Sequence, residues 1–245
     1  MKKFISLLQV SILVAGILTL MVSCTKSANL PETVIETQHS NHAFGNVYVL
    51  DKYGKMTNNN SGVTVILEGN GMKKEITTGA NGRYEFMHIP AGSYTFTFIK
   101  DGLANSGQPA TISGYTNVPA TFMGPVSQHI LEIDKAAIQN ENIELYMNSY
   151  PAPASKQPVG YIVFASNSSD VSAGNAPFSK RESSEALHVQ TVSLADLQMA
   201  GIDTNATIYL AIYPNTPGVS NSLINGVKGY PALNLNAKKL VSINN

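Results

Sequence analysis

Tryptophan is absent from this 245-residue chain, cysteine occurs once, and charged residues make up only 13% of it. Each shortage excludes something. A single cysteine, Cys24, rules out an internal disulfide, and an unpaired thiol in an exported protein calls for a use of its own. Without tryptophan, a sugar site lacks one common aromatic platform, though tyrosine can still form one. The charged fraction is about half the usual ~25% of globular chains. The formal net charge is zero, and without Lys2 and Lys3 it is −2. Nucleic acid, which needs a basic stripe, is therefore excluded as a partner.

Apolar residues fill 43% of the chain, enough for a sizeable core, and Thr, Ser, Asn and Gly occupy the place of the missing charges. That composition suits β-rich exported proteins with many turns. At ~100–150 residues per domain, the length allows one large or two ordinary domains.

The N-terminus has the layout of an export leader. Lys2 and Lys3 precede the apolar run Phe4 to Val22, which ends at Ser23-Cys24. Leu20-Met21-Val22-Ser23 before the cysteine resembles the lipobox of bacterial lipoproteins, with Met21 where Leu, Ile or Val is commoner. The resemblance implies that Cys24 is lipidated and that the leader is cut just before it. Several acyl chains, at ~0.8 kcal/mol per buried CH₂, hold a protein stably on a membrane. An uncleaved membrane helix and an ordinary leader with a spare thiol are the other readings of the same residues. Thr25 to His42 is polar, lacks a hydrophobic period and contains Pro31, so it reads as a tether. Acidic residues do not cluster after Cys24, which leaves open whether the protein faces the periplasm or the cell surface.

From Gly45 to Lys100 apolar residues recur with period two. Val47 and Val49, then Val63, Val65 and Leu67, then Tyr84 and Phe86, then Tyr94, Phe96 and Phe98 each mark one face of a strand. Strands with one apolar face must pack sheet on sheet. Gly79-Ala80-Asn81-Gly82 and Ile89-Pro90-Ala91-Gly92 supply turn chemistry between them. Gln128 to Ile133 and Asn142 to Met147 alternate suitably for closing strands.

These segments, from Gly45-Asn46-Val47-Tyr48-Val49 through Ser61-Gly62-Val63-Thr64-Val65 and Asn81-Gly82-Arg83-Tyr84 to Ile89-Pro90-Ala91-Gly92-Ser93-Tyr94, resemble the carboxypeptidase regulatory-like domain. The match covers about a quarter of the chain. It implies a transthyretin-like β-sandwich of about seven strands that scaffolds or adheres without peptidase activity. Gly102 is followed by Leu103, where that family usually has an aromatic.

Tyr150 to Pro158 carries Pro151, Pro153 and Pro158 and reads as a semi-rigid linker. Beyond it, Tyr161 to Ala165 is apolar on both faces, as a central strand would be. Leu187 to Val192, Thr207 to Tyr213 and Leu240 to Ile243 read as further strands. Ser193 to Gly201 reads as a short helix with Ser193 as N-cap. The fold class expected is all-β: a transthyretin-like sandwich followed by a smaller immunoglobulin- or fibronectin-like one. The divisions are a leader over 1–23, a tether over 24–42, a first sandwich over 43–149, a linker over 150–158 and a second sandwich over 159–245. The pairing of these parts resembles envelope lipoproteins of the Bacteroidota.

Two polar stretches, Asn167 to Ala186 and Pro214 to Pro231, read as long loops, either a binding region or plain surface loops. Tyr209, Tyr213 and Tyr230 are the candidate ligand-binding residues; the same tyrosines would also serve by packing inside the sandwich. His129-Ile130-Leu131-Glu132 with distant His188 has a spacing known from zinc carboxypeptidases, but period two puts His129 and Glu132 on opposite strand faces. Gly69 to Lys74 precedes a strand instead of opening a helix, so it is a hairpin turn and no phosphate loop. No serine sits in a Gly-x-Ser-x-Gly elbow. The expectation is a non-enzymatic outer-membrane lipoprotein without cofactor, catalytic residue or metal site, binding a protein or polysaccharide. The alternatives are a lipid-anchored metal-dependent peptidase using His129, Glu132 and His188, and an assembly subunit of a surface structure that pairs sheet edges.

Overall fold

The computed structural model describes residues 40–154, 156–185, 187–224 and 227–244. The expected leader, Cys24 and nearly all of the tether lie outside the described residues. Among the described residues no helix is long and apolar enough to cross a membrane. The fold is all-β, as the period-two pattern requires.

Eight strands make the first sandwich: β1 (Asn41–Val49), β2 (Thr64–Gly69), β3 (Met72–Thr77), β4 (Arg83–Ile89), β5 (Gly92–Ile99), β6 (Ser106–Ile112), β7 (Tyr115–Asn117) and β8 (Thr121–Met123). One sheet runs β3-β2-β5-β6, antiparallel throughout. In the other, β1 pairs antiparallel with β4 and parallel with β7 and, further along, with β8. Alternation does the folding here. Val47, Val65, Leu67, Phe86, Phe96 and Phe98 point inward from their strands and are buried together. Complete burial of such side chains stabilises by about 1.5–3 kcal/mol each. The turn before β4 depends on Gly82, at φ +74°, where a Cβ would sit 2.0 Å from the Val47 carbonyl oxygen. Any other residue there meets both left-handed strain and a collision with backbone.

The second set comprises β9 (Ile130–Gln139), β10 (Asn142–Tyr150), β11 (Val159–Ser166), β12 (Phe178–Ser184), β13 (Val189–Ser193), the short helix α1 (Leu194–Met199), β14 (Ile208–Asn215), β15 (Ser222–Ile224), β16 (Val227–Gly229), a 3₁₀ turn at Leu235–Ala237 and β17 (Lys239–Ile243). Sheets β13-β10-β9 and β12-β11-β14-β17 face each other over a core that includes Leu131, Ile143, Leu145, Tyr161, Val163, Leu210 and Ile212. Ser193 caps α1, accepting a hydrogen bond from the Asp196 amide, and Leu197 plugs the helix into this core.

Two expectations are corrected. β9 and β10, expected to close the first sandwich before a boundary at 149, belong to the second: β10 pairs with β13, from beyond the Pro-rich stretch. Alternation fixes which face of a strand is buried but not which sheet it joins. The 150–158 segment therefore connects β10 to β11 inside the second sandwich. The first sandwich closes instead with β6, β7 and β8. Likewise, the stretches expected as polar loops contain β12, β15 and β16, together with the fully buried Val171 and Val219. The reason lies in β11 and β14, which are buried on both faces. Their outer residues Ile162, Phe164, Ala211 and Tyr213 need a covering layer, and Val171, Leu233 and Tyr230 provide it.

The segment after β14 also binds the two sandwiches to each other. Val219 and Ala232 pack with Leu50 and Ala104 of the first sandwich, with Phe122 alongside. Hydroxyl groups do much of the pairing, beside a backbone bond from the Ser220 amide to the Phe122 carbonyl at 2.9 Å. Thr216 donates to the Pro125 carbonyl at 2.7 Å, and Ser220 Oγ accepts from the Phe122 amide at 2.9 Å. Ser222 Oγ accepts from the Gly107 amide at 2.9 Å and returns a hydrogen bond to the Gly107 carbonyl at 3.2 Å. From β12, Arg181 holds this segment through the Val219 carbonyl and the Asn221 side chain.

Two stability measurements follow from this packing. Tyr84 is buried and its hydroxyl finds no hydrogen-bond partner among the described residues. Tyr84→Phe is expected to leave the fold intact and raise the unfolding free energy by about 1 kcal/mol, seen as a higher urea midpoint. Ser222→Ala is expected to lower it by about 1–3 kcal/mol, because it strands both polar groups of buried Gly107.

Candidate binding site at the junction of the two sandwiches

The loop after β1 is built on Asp51. Its Oδ1 accepts from the amides of Tyr53 at 2.9 Å and Lys55 at 3.0 Å, an aspartate turn that fixes the loop from within. Gly54, at φ +79°, lies so close to the junction segment that a Cβ would meet the Pro217 carbonyl oxygen at 2.6 Å. The loop is thereby seated against the second sandwich, with Tyr53 half-buried and the Lys52 ammonium 4.9 Å from the centre of its ring.

The facing wall comes from one end of the β9–β10 hairpin. Gln128 and His129 lead into β9, and Pro151 to Pro153 leave β10. His129 Nδ1 is 3.2 Å from the Pro151 carbonyl oxygen, tying the two ends together. Beyond, the Gln157 amide donates to the Ala154 carbonyl at 3.0 Å, closing a turn in which Lys156 takes φ +64°. Two connected features result. A small cavity of about 60 Å³ is lined by Lys52, Tyr53, Gln128, His129 and the 151–153 segment. An open cleft of about 580 Å³ is lined by Asp51, Tyr53, Gly54, Lys55, Lys156, Gln157 and Pro158. Tyr53 borders both. At the rim Tyr150 is 70% exposed and stands directly opposite Ile130, itself 44% exposed. Small-molecule and polymer subsites commonly occupy ~300–1,000 Å³ and combine apolar walls with a few placed polar groups.

A further depression beside Arg181, Glu182, Ser183, Pro217 and Gly218 has its guanidinium engaged with Val219 and Asn221. Burial lowers the Arg181 pKa from its ordinary value, the mark of a structural strut.

The three tyrosines singled out in the sequence do come together, in the layer over β11 and β14. Phe164 meets Tyr213 edge-on at 5.6 Å and Tyr230 edge-on at 5.0 Å. Tyr213 is only 4% exposed, and burial raises its pKa. Tyr209 and Tyr230 are half-buried, and the Tyr230 hydroxyl is 3.0 Å from Ser179 Oγ. His129 borders the small cavity, Glu132 is exposed on β9 opposite Asn148, and His188 is exposed just before β13. Among the described residues no group of three His, Cys, Asp or Glu side chains is placed to hold a metal ion. Sequence reading missed Tyr53, Lys55, Gln128 and Lys156. Asp51 and Gly54 are turn-forming residue types on either side of Tyr53, but no local pattern shows that this loop meets residues as distant in the chain as Gln128 and Lys156.

Compared with family models and with curated proteins, the chain matches none. Solved structures do resemble it. A DUF3823 family protein from Parabacteroides merdae is 12% identical, over 84% of this chain and 99% of that one, at TM-score 0.30. A DUF3823 family protein from Bacteroides uniformis is 12% identical over the same shares, at TM-score 0.28. A candidate carbohydrate-binding protein from Bacteroides uniformis is 12% identical, over 83% and 99%, at TM-score 0.30. At such identities and TM-scores, nothing about the function of those proteins transfers to this chain.

The core and cleft tyrosines separate by substitution. Tyr213→Ala is expected to cost about 3–5 kcal/mol in urea denaturation, as for other buried aromatics. Tyr53→Ala, on an internally bonded loop, is expected to cost about 1 kcal/mol or less.

Proposed function

We propose that this chain is a non-catalytic, lipid-anchored protein of the bacterial cell envelope that holds its ligand in the junction cleft. The observation that carries the reading is the cleft's construction. Its walls come from both sandwiches, are fixed by the Asp51 turn and the His129–Pro151 contact, and present an aromatic ring, amides and ammonium groups to solvent. Such a preformed surface binds without losing much conformational freedom. The first sandwich is taken to be of the carboxypeptidase regulatory-like kind, in keeping with the segments that resemble that family. The second is taken to be immunoglobulin-like. Cys24 is the lipidation site, and the outer membrane is the membrane decorated. The Lys2-Lys3 start, the apolar run and the only cysteine support this anchor.

Treating intact cells with a non-penetrating protease tests anchoring and exposure together. The wild-type chain is expected in the membrane fraction, and Cys24→Ala is expected to lose that association. Membrane retention of Cys24→Ala at unchanged mass would overturn the anchor. Digestion on intact cells would place the cleft outside the cell. Protection until the outer membrane is broken would place it in the periplasm.

A further inference from the structure

Resting on the reading of the cleft as a ligand site, we infer that its ligand is an acidic polysaccharide, a sugar polymer bearing carboxylate or sulfate groups. Charge is the first ground. Lys52, Lys55 and Lys156 line the two cavities, and the one carboxylate among the lining residues belongs to Asp51. Among the described residues no ion pair joins these lysines to a carboxylate, and with the Asp51 charge counted the lining still carries a net +2. Three ammonium groups in a chain with so few charges make a local positive field that suits an anion.

Shape and chemistry choose a sugar. Tyr53 borders both cavities, so a linear polymer running past its ring enters the open cleft on one side and reaches the small cavity on the other. Lys52 stands over that ring and lines the small cavity, while Lys55 and Lys156 line the larger one. The cleft of about 580 Å³ is wide enough for a pyranose, and the cavity of about 60 Å³ takes a single substituent or a water. The side chains of Gln128 and Gln157 are among the lining residues, and amide groups of this kind hydrogen-bond sugar hydroxyls.

Lys156 supplies the second ground. It occupies φ +64°, a left-handed conformation that glycine or asparagine takes at less cost than a long-chain residue. An exposed lysine stands in the cleft lining at a place where a turn alone would favour glycine.

The test uses the detergent-solubilised full chain and affinity electrophoresis in gels containing polygalacturonate, chondroitin sulfate, neutral galactan or poly-glutamate. Retardation by polygalacturonate or chondroitin sulfate is expected. Lys55→Gln/Lys156→Gln should weaken it about tenfold or more, and so should raising salt from about 0.05 to 0.5 M, which shortens the screening length. Tyr53→Ala should weaken it as well, with the circular dichroism of each variant unchanged. Binding to galactan alone, indifferent to the lysine substitutions, overturns the acidic ligand and leaves the cleft as a binding site. Retardation by poly-glutamate that survives Tyr53→Ala overturns the sugar in favour of an acidic peptide. Failure of all four polymers to bind overturns the acidic polysaccharide.

Discussion

The structure depends on how one stretch, Thr216 to Ser222, satisfies its polar groups while crossing from one sandwich to the other. It does so largely with side-chain hydroxyls, beside the backbone bond from the Ser220 amide to the Phe122 carbonyl. Thr216, Ser220 and Ser222 bond to the carbonyls or amides of Pro125, Phe122 and Gly107, all in the first sandwich. Buried backbone groups left unpaired cost ~1–3 kcal/mol each, so these bonds matter through what they prevent. Val219, beside them, makes the contact apolar as well as polar. Remove this crossing and the edge of β6 and the face around Leu50 would both lose their cover.

From that crossing the rest can be followed outward. It seats Pro217 against Gly54, which fixes the Asp51 loop; the loop in turn places Tyr53 across from the open end of β9 and β10. The cleft is thus a consequence of how two sandwiches were fitted together, and neither of them contains it alone. The same economy governs β11 and β14. Being apolar on both faces, they recruit sandwich partners on one side and a layer from two connecting stretches on the other.

How much was legible in the residues divides along physical lines. Strands β1, β2, β4 and β5 announce themselves because one face meets solvent and the other meets the core, which writes alternation into the sequence. The central strand β11 is legible as a continuous apolar run for the opposite reason. β6, β7 and β8 are not, since Gly107, Pro109, Gly114 and Pro119 interrupt any period. The assignment of β9 and β10 to a sandwich was beyond local reading. Their hairpin, turned at Asn140 and Glu141 with φ +48° and +62°, is a local event, but its partner β13 lies past the proline-rich stretch. The candidate site was hidden for the same reason. The tyrosines were visible as a group on one strand and its loop, and they do assemble, though Tyr213 is core. Tyr53, Gln128 and Lys156 share no period or motif; only the tertiary fit brings them to one cleft.

The position of β1 has a mechanical meaning. The first strand after the N-terminal stretch is the innermost of its sheet, with β4 antiparallel beside it and β7 and β8 parallel to it. A pull on the N-terminal end along β1 would load its hydrogen bonds together, in shear, where an edge strand peeled from one end would release them one after another. β17, near the other end of the chain, is such an edge strand. Traction from the N-terminal side therefore meets the stiffer of the two described ends.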